Sequence, residues 1–248
     1  MDQYSRTIRL IGEEKQTLLH QKSVLLFGLG GVGGGCLEGL ARAGIGKLTL
    51  VDNDAFALSN LNRQILATHE TIGKNKVDVA EERVKAIDPN IQVMKKKMFY
   101  LPEKKAELPF EDYDLVIDCI DTISAKLDII TEAKKQNIPV LSAMGCGNRL
   151  DPTQLRIGEL FLTSGDPLAK VMRRELRKRG VTSLIVVYSL EHPTKPAPLA
   201  EEEAKEASPK KGRKDVPGSA PFVPLVAGEL LAYEAVKILL GEEEKEKA

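Results

Sequence analysis

Val24-Leu25-Leu26-Phe27-Gly28-Leu29-Gly30-Gly31-Val32-Gly33 is the stretch that decides the fold. An apolar run of strand length meets G-x-G-x-x-G without a break. A helix-length segment follows, then a second apolar run, Leu48-Thr49-Leu50-Val51, which ends in Asp52. The order is strand, glycine turn, helix, strand, acid. Glycine is required because the turn uses backbone angles closed to other residues, and because a phosphate must approach bare N–H groups at a helix start. An acid about 20 residues beyond the turn falls where a ribose-binding carboxylate belongs. Gly28, Gly30, Gly31 and Gly33 therefore read as a nucleotide cradle and Asp52 as its ribose ligand. Close helix–strand packing without a ligand is the alternative.

The residues beyond Asp52 narrow the chemistry. Asp52-Asn53-Asp54, Ser59-Asn60-Leu61-Asn62-Arg63-Gln64 and Gly73-Lys74-Asn75-Lys76 place two cations and several amides just past the nucleotide strand. A nicotinamide enzyme has no need of Arg63 and Lys76 there. An enzyme that splits a triphosphate does, because charge builds on the phosphates during transfer. Asn60, Arg63, Gln64 and Lys76 are accordingly read as phosphate contacts of ATP. A lone surface Arg or Lys is usually only solvated; two of them in this order favour the ligand. Asp121 follows the buried run 113–119, and open parallel sheets bind ligands at that edge. ATP arrives with Mg2+, a hard cation that wants carboxylate oxygens. Asp54 and Asp118 are second choices for the metal, and Asp118 also reads as a buried, satisfied carboxylate that orients the loop.

The chain has 248 residues, with 36 Lys+Arg and 36 Asp+Glu, so net charge selects no partner. One α/β domain is expected at this length. Its nucleotide-binding core should span about 4–150, with a C-terminal substrate-binding part at about 151–241. The three cysteines, Cys36, Cys119 and Cys146, form no C-x-x-C pair, which predicts neither a zinc site nor a disulfide framework and fits a reducing cytoplasm. The start is acidic and polar, unlike a signal peptide, and the apolar segment 222–240 is interrupted by Glu229, Glu234 and Lys237.

Helices are expected over 4–20, 60–66, 74–87 and 124–136, with strands at 92–98, 113–119 and 140–143. Alternation of this kind predicts a doubly wound, mostly parallel α/β sheet with a small C-terminal extension. The extension reads as a strand at 154–160, a helix from Asp166-Pro167 to about Arg179, a strand at 184–189, and a closing helix at 225–240. Residues 192–219 are rich in Pro, Ala, Lys and Glu without apolar periodicity, and read as a long mobile loop.

Tyr4-Ser5-Arg6, the glycine turn, residues 59–64, Lys76 and Asp118-Cys119-Ile120-Asp121 together resemble the adenylating superfamily of ThiF, MoeB, HesA and the ubiquitin-activating enzymes. Gly145-Cys146-Gly147-Asn148-Arg149-Leu150-Asp151-Pro152 and the later basic helix resemble one branch, the tRNA threonylcarbamoyladenosine dehydratases. The resemblance implies that a carboxylate is activated as an acyl-adenylate. It implies Mg2+ at Asp121 and a homodimer in which Arg6 enters the partner subunit's ATP site. It also implies tRNA as substrate and a cysteine desulfurase or sulfur-acceptor protein as a further partner. Thioester-forming relatives carry a catalytic cysteine in the later loop, and other branches carry zinc-binding cysteine pairs; this sequence has neither. Two alternatives stay open: adenylation of the C-terminus of a small ubiquitin-like sulfur carrier, and a non-catalytic ATP- or RNA-binding regulator.

Local charge points to RNA. Residues 168–179 hold Lys170, Arg173, Arg174, Arg177, Lys178 and Arg179 against Glu175 alone. Such a helix suits phosphate contacts with tRNA; a solvated face with internal salt bridges is the alternative. Lys210-Lys211-Gly212-Arg213-Lys214 adds a second basic cluster.

Overall fold

The computed structural model describes residues 2–198 and 217–242. The basic cluster at 210–214 and most of the proposed loop at 192–219 lie outside the described residues. Two short helices, α1 (Ser5–Ile11) and α2 (Glu13–Gln21), precede β1 (Ser23–Phe27). They replace the single helix expected over 4–20, and the break is Gly12 at φ 88. Then come α3 (Gly31–Ala43), β2 (Lys47–Val51), α4 (Lys76–Ile87), β3 (Gln92–Lys96), β4 (Leu115–Asp118), α5 (Ile123–Lys135) and β5 (Val140–Ala143). The chain closes with β6 (Leu155–Glu159), α6 (Pro167–Arg177), β7 (Ile185–Ser189) and α7 (Phe222–Leu239).

The seven strands form one sheet in the order β3-β2-β1-β4-β5-β7-β6. All neighbours run parallel except β6 and β7. The doubly wound fold expected from the alternation is therefore present, and the C-terminal extension completes its sheet. Side-chain alternation builds a core on each face. Val24 and Leu26 of β1 join the cluster shared with α3 and α7, whereas Leu25 and Phe27 join the one shared with α5 and α6. The strand order reverses at β1, which pairs Phe27 with Val51 on one side and with Asp118 on the other. A crevice opens at that switch point, beyond the carboxyl ends of the strands.

Among the boundaries that differ from those expected, three have a plain local cause. Residues 60–66 are not a helix: a single 3-10 turn, Leu58–Asn60, is followed by further turns. Asn60 closes that turn by accepting a hydrogen bond from the Ala57 N–H at 3.1 Å, so its side chain serves the loop rather than a helix. The basic helix begins as expected, with the Asp166 carboxylate accepting from the Ala169 N–H at 2.8 Å and Pro167 in first position. It ends at Arg177, two residues early, because Gly180 at φ 75 turns the chain and Val181 bonds back to Leu176. The closing helix starts at Phe222 instead of 225, since Pro224 is tolerated in a first turn.

Candidate active site

The glycine turn shows why its residues have no side chains. Gly28 sits at φ 85, and a Cβ there would stand 2.9 Å from the Cys119 carbonyl oxygen. A Cβ on Gly33 would fall 1.8 Å from the Gly28 carbonyl oxygen, so only glycine lets α3 start this close to β1. Gly30 precedes α3, and no side chain caps its first turn. Gly30, Gly31 and Val32 line a cavity of about 830 Å3. An uncapped helix start of this kind presents bare N–H groups and the positive end of the helix dipole to an anion.

Asp52 ends β2 and faces the same cavity, but its carboxylate is also structural. Oδ2 accepts from the Leu29 N–H at 2.7 Å and Oδ1 from the Asp54 N–H at 2.8 Å. The acid thus fixes the glycine turn and the loop after β2 in one position. Each oxygen keeps a second lone pair for a hydroxyl donor.

Lys76 opens α4 and is buried. Its Nζ lies 3.2 Å from Asp54 Oδ2 and 3.9 Å from Asp52 Oδ2. Arg63 is half-buried on the opposite wall. It donates to the Ser59 carbonyl at 2.7 Å and to Asn62 Oδ1 at 3.0 Å, and burial pulls its pKa below the usual arginine value. Gln64 is buried beside it, and its Oε1 has no hydrogen-bond partner among the described residues. Asn60 also lines the cavity. One space therefore brings together every residue assigned to the nucleotide in the sequence, with the exception of Gly33, which lies buried behind Gly28.

The loop after β4 completes the floor. Asp121 lines the cavity and is exposed. Asp118 does not compete for a metal. It is fully buried, ion-paired to Lys126 Nζ at 2.8 Å and hydrogen-bonded by Ser142 Oγ at 2.7 Å. Its other oxygen accepts from the Ile120 N–H at 3.2 Å, while Lys126 donates to the Ile120 carbonyl at 3.1 Å. A charged pair beneath the loop thus pins both sides of Ile120, the residue before Asp121. Asp54 is likewise engaged, with Lys76. Asp121, exposed to the cavity, is a hard oxygen donor of the kind that Mg2+ takes.

Several lining residues escaped sequence reasoning. Met98, Phe99 and Tyr100 continue from β3 along the wall, and Met144 follows β5; the Gly145-Cys146-Gly147 loop that lines the cavity beside it belongs to a stretch the sequence already singled out, with Cys146 as a candidate near the nucleotide edge. Only the switch-point rule could have pointed to them, since both segments leave the carboxyl ends of parallel strands. Lys126 carried no signal at all, being one lysine among several on an amphipathic helix.

Two predicted groups stand away from this cavity. Arg6 is exposed on α1 and is not among the lining residues. The cations of α6 divide. Lys170, Arg173, Arg174 and Arg177 surround a second hollow of about 370 Å3. Arg173 reaches the Thr163 hydroxyl, and the Arg177 guanidinium lies 5.2 Å from the centre of the Phe161 ring. Lys178 and Arg179 lie past the helix end and pair with Glu175 at 3.0 and 3.5 Å. Glu175 also meets Arg174 at 2.9 Å, and these cations, Lys178 first, hold its carboxyl at about 2.

The ThiF family matches residues 4–248. This chain belongs to the ThiF family. A relative from Bacillus subtilis, a tRNA threonylcarbamoyladenosine dehydratase, is 38% identical over 98% of this chain and 96% of its own. The solved structure of the Escherichia coli tRNA threonylcarbamoyladenosine dehydratase in complex with ATP superposes with a TM-score of 0.84 at 29% identity, covering 97% of this chain and 94% of that one. The same enzyme in complex with AMP gives 0.84 at 31% identity over 96% and 93%. As a ThiF-family fold, the switch-point cavity has the shape and charge for ATP. Among the described residues, no helix is long and apolar enough to cross a membrane.

Proposed function

We propose that this protein is an ATP-dependent tRNA threonylcarbamoyladenosine dehydratase. The observation that carries the reading is the single cavity in which an uncapped glycine helix start, Arg63, Lys76 and Asp121 converge. That arrangement neutralises a triphosphate and leaves no thiolate in reach. Burial pushes the Cys146 thiol up to about 12, and Cys119, hydrogen-bonded to Cys36 and buried, is raised well above the ordinary thiol value.

The reaction has two steps. The threonyl carboxylate of the modified adenosine attacks the α-phosphorus of ATP and pyrophosphate leaves. The helix start, Arg63 and Lys76 stabilise the charge that builds on the phosphates. In the acyl-adenylate the carbonyl is electrophilic. A nitrogen or oxygen of the same nucleoside attacks it, its proton is released, and AMP departs, so the nucleoside loses the elements of water. The second nucleophile is intramolecular and already close, which explains why the protein need supply none. Asp121 would hold Mg2+, which would add positive charge beside the phosphates.

The tRNA is assigned to the four cations around the second hollow on α6, whose first turn contributes Leu168 to the ATP cavity. Arg6 is assigned to the partner subunit's site in a homodimer; its exposure outside its own chain's cavity supports that reading. The enzyme is placed in the cytoplasm, where its tRNA substrate is found. The test is mass analysis of nucleosides from tRNA incubated with protein and ATP. A loss of 18 Da on the threonylcarbamoyl nucleoside, dependent on ATP, is expected. Pyrophosphate release stimulated by a small Gly-Gly protein and not by tRNA would overturn the assignment in favour of a sulfur-carrier activator.

A further inference from the structure

Residues 217–219 border the cavity: Pro217 and Ser219 both line it, as does Asp121. Two asparagines hold this short span. Asn62, the neighbour of Arg63, donates from Nδ2 to the Ser219 carbonyl at 2.8 Å. Asn148 grips Gly218 twice, donating its N–H to the Gly218 carbonyl at 2.8 Å and accepting from the Gly218 N–H on Oδ1 at 2.7 Å. The Asn148 carbonyl also accepts from the N–H and hydroxyl of Thr194, at 2.8 and 3.1 Å. One residue therefore ties down the stretches on both sides of 195–216. Asn148 does this at φ 61, a left-handed conformation that few residues other than glycine adopt and that asparagine tolerates. Packing closes the gap, since a Cβ on Gly147 would stand 3.0 Å from Pro217 Cβ.

None of these contacts involves Lys76 or the glycine turn. Pro217 and Ser219 share the cavity with Asp121, Gly145 and Cys146 as well as with the phosphate cations. An acyl-adenylate has two possible fates. The nucleoside's own nitrogen or oxygen attacks the carbonyl carbon, the bond to the phosphate oxygen breaks, and AMP leaves with dehydrated product. Water attacking the same carbon breaks the same bond and returns AMP, the original carboxylate and protons, so that ATP is consumed for nothing. Exclusion of bulk water decides between them. We infer that Asn148, with Asn62 at the far end, is a positioning residue that fixes 217–219 across the mouth and so protects the acyl-adenylate from water. This rests on the acyl-adenylate reading above.

The experiment compares Asn148→Gly, which keeps the left-handed backbone and loses Oδ1, with Asn148→Asp, which keeps an acceptor there. The readout is AMP released per dehydrated nucleoside at early times, using full-length protein and tRNA whose threonyl carboxylate carries 18O. ATP affinity is measured alongside by calorimetry. In the parent the ratio should be close to one and the AMP should carry label. In Asn148→Gly the ratio should rise several-fold while ATP affinity stays within two-fold, and Asn148→Asp should restore it. Labelled AMP with an unchanged ratio in Asn148→Gly, or an equal rise in Asn148→Asp, would overturn the role of Asn148 alone. Unlabelled AMP from the parent would overturn the acyl-adenylate reading and this inference with it.

Discussion

Two groups of cations in this molecule are held in opposite ways. Lys76 and Arg63 are packed into the switch-point crevice, where Asp54, Asp52 and the Ser59 carbonyl fix them. The cations of α6 project around an open hollow, and Arg174 among them pairs with Glu175, which is itself near the surface. Pre-positioned charge in a crevice suits a transition state, because nothing must reorganise as phosphate charge develops. Surface charge around an open hollow suits a polyanion read through its backbone, where each contact contributes a little and salt competes. On the proposed function, the first group serves catalysis and the second substrate capture.

The sharpest way to break that contrast is to remove a crevice cation. Lys76→Ala or Arg63→Ala should lower pyrophosphate release by on the order of 100-fold or more at saturating ATP. Turnover within a few-fold of the parent would show that the crevice charges are passive. The buried pair beneath Asp121 should fail differently. Lys126→Met strands the Asp118 carboxylate in a fully buried position and should cost about 3–5 kcal/mol of stability. Chemical denaturation measures this directly, and a loss below 1 kcal/mol would mean that water reaches Asp118.

The two regions were also unequally legible in the sequence. The crevice was readable because its physics is local and spaced. A glycine turn, an acid about 20 residues on and cations in order leave little freedom of interpretation. What could not be read was how each carboxylate is held. Asp118, Asp54 and Asp121 are alike as letters; tertiary partners from α5, β5 and α4 separate them. The α6 cations were visible as composition, yet only the structure shows that Lys178 and Arg179 fall past the helix and share Glu175. The span at 217–219 carried no signal, because its role depends on Asn62 and Asn148, each remote in sequence.

A smaller effect tests the assembly. Mixing Arg6→Ala with Lys76→Ala under conditions of subunit exchange should recover roughly a quarter of parental activity, since half of randomly paired dimers are mixed and one of their two sites is intact. No recovery would place Arg6 in its own chain's chemistry, and full activity of Arg6→Ala alone would remove it from the reaction. On α6 the expected effect is graded. Reversing Arg173, Arg174 and Arg177 to Glu should weaken tRNA binding and flatten its log–log salt dependence by about 0.7 to 0.9 per lost phosphate contact, leaving ATP affinity unchanged. An unaltered slope would mark the helix as a solvated face.

The smallest effect is expected at Cys146, although it lines the same cavity as Lys76. A cysteine there could be mistaken for a nucleophile that accepts the acyl group from AMP. The surroundings argue otherwise. Burial disfavours the thiolate and lifts the pKa to about 12, and Arg149, the nearest opposing influence, is spent on Asp166 at 2.8 Å and on the Gly145 and Glu191 carbonyls. A raised pKa means that the reactive form appears only as pH climbs toward that value. At pH 8 only about one thiol in ten thousand would be ionised, so the residue behaves as a small apolar group. Cys146→Ser should therefore retain dehydration within about two-fold, and iodoacetamide should label Cys146 far more slowly than free cysteine, with a rate still rising above pH 10. A plateau in labelling near pH 8, or loss of dehydration with adenylation intact in Cys146→Ser, would reinstate a covalent acyl intermediate.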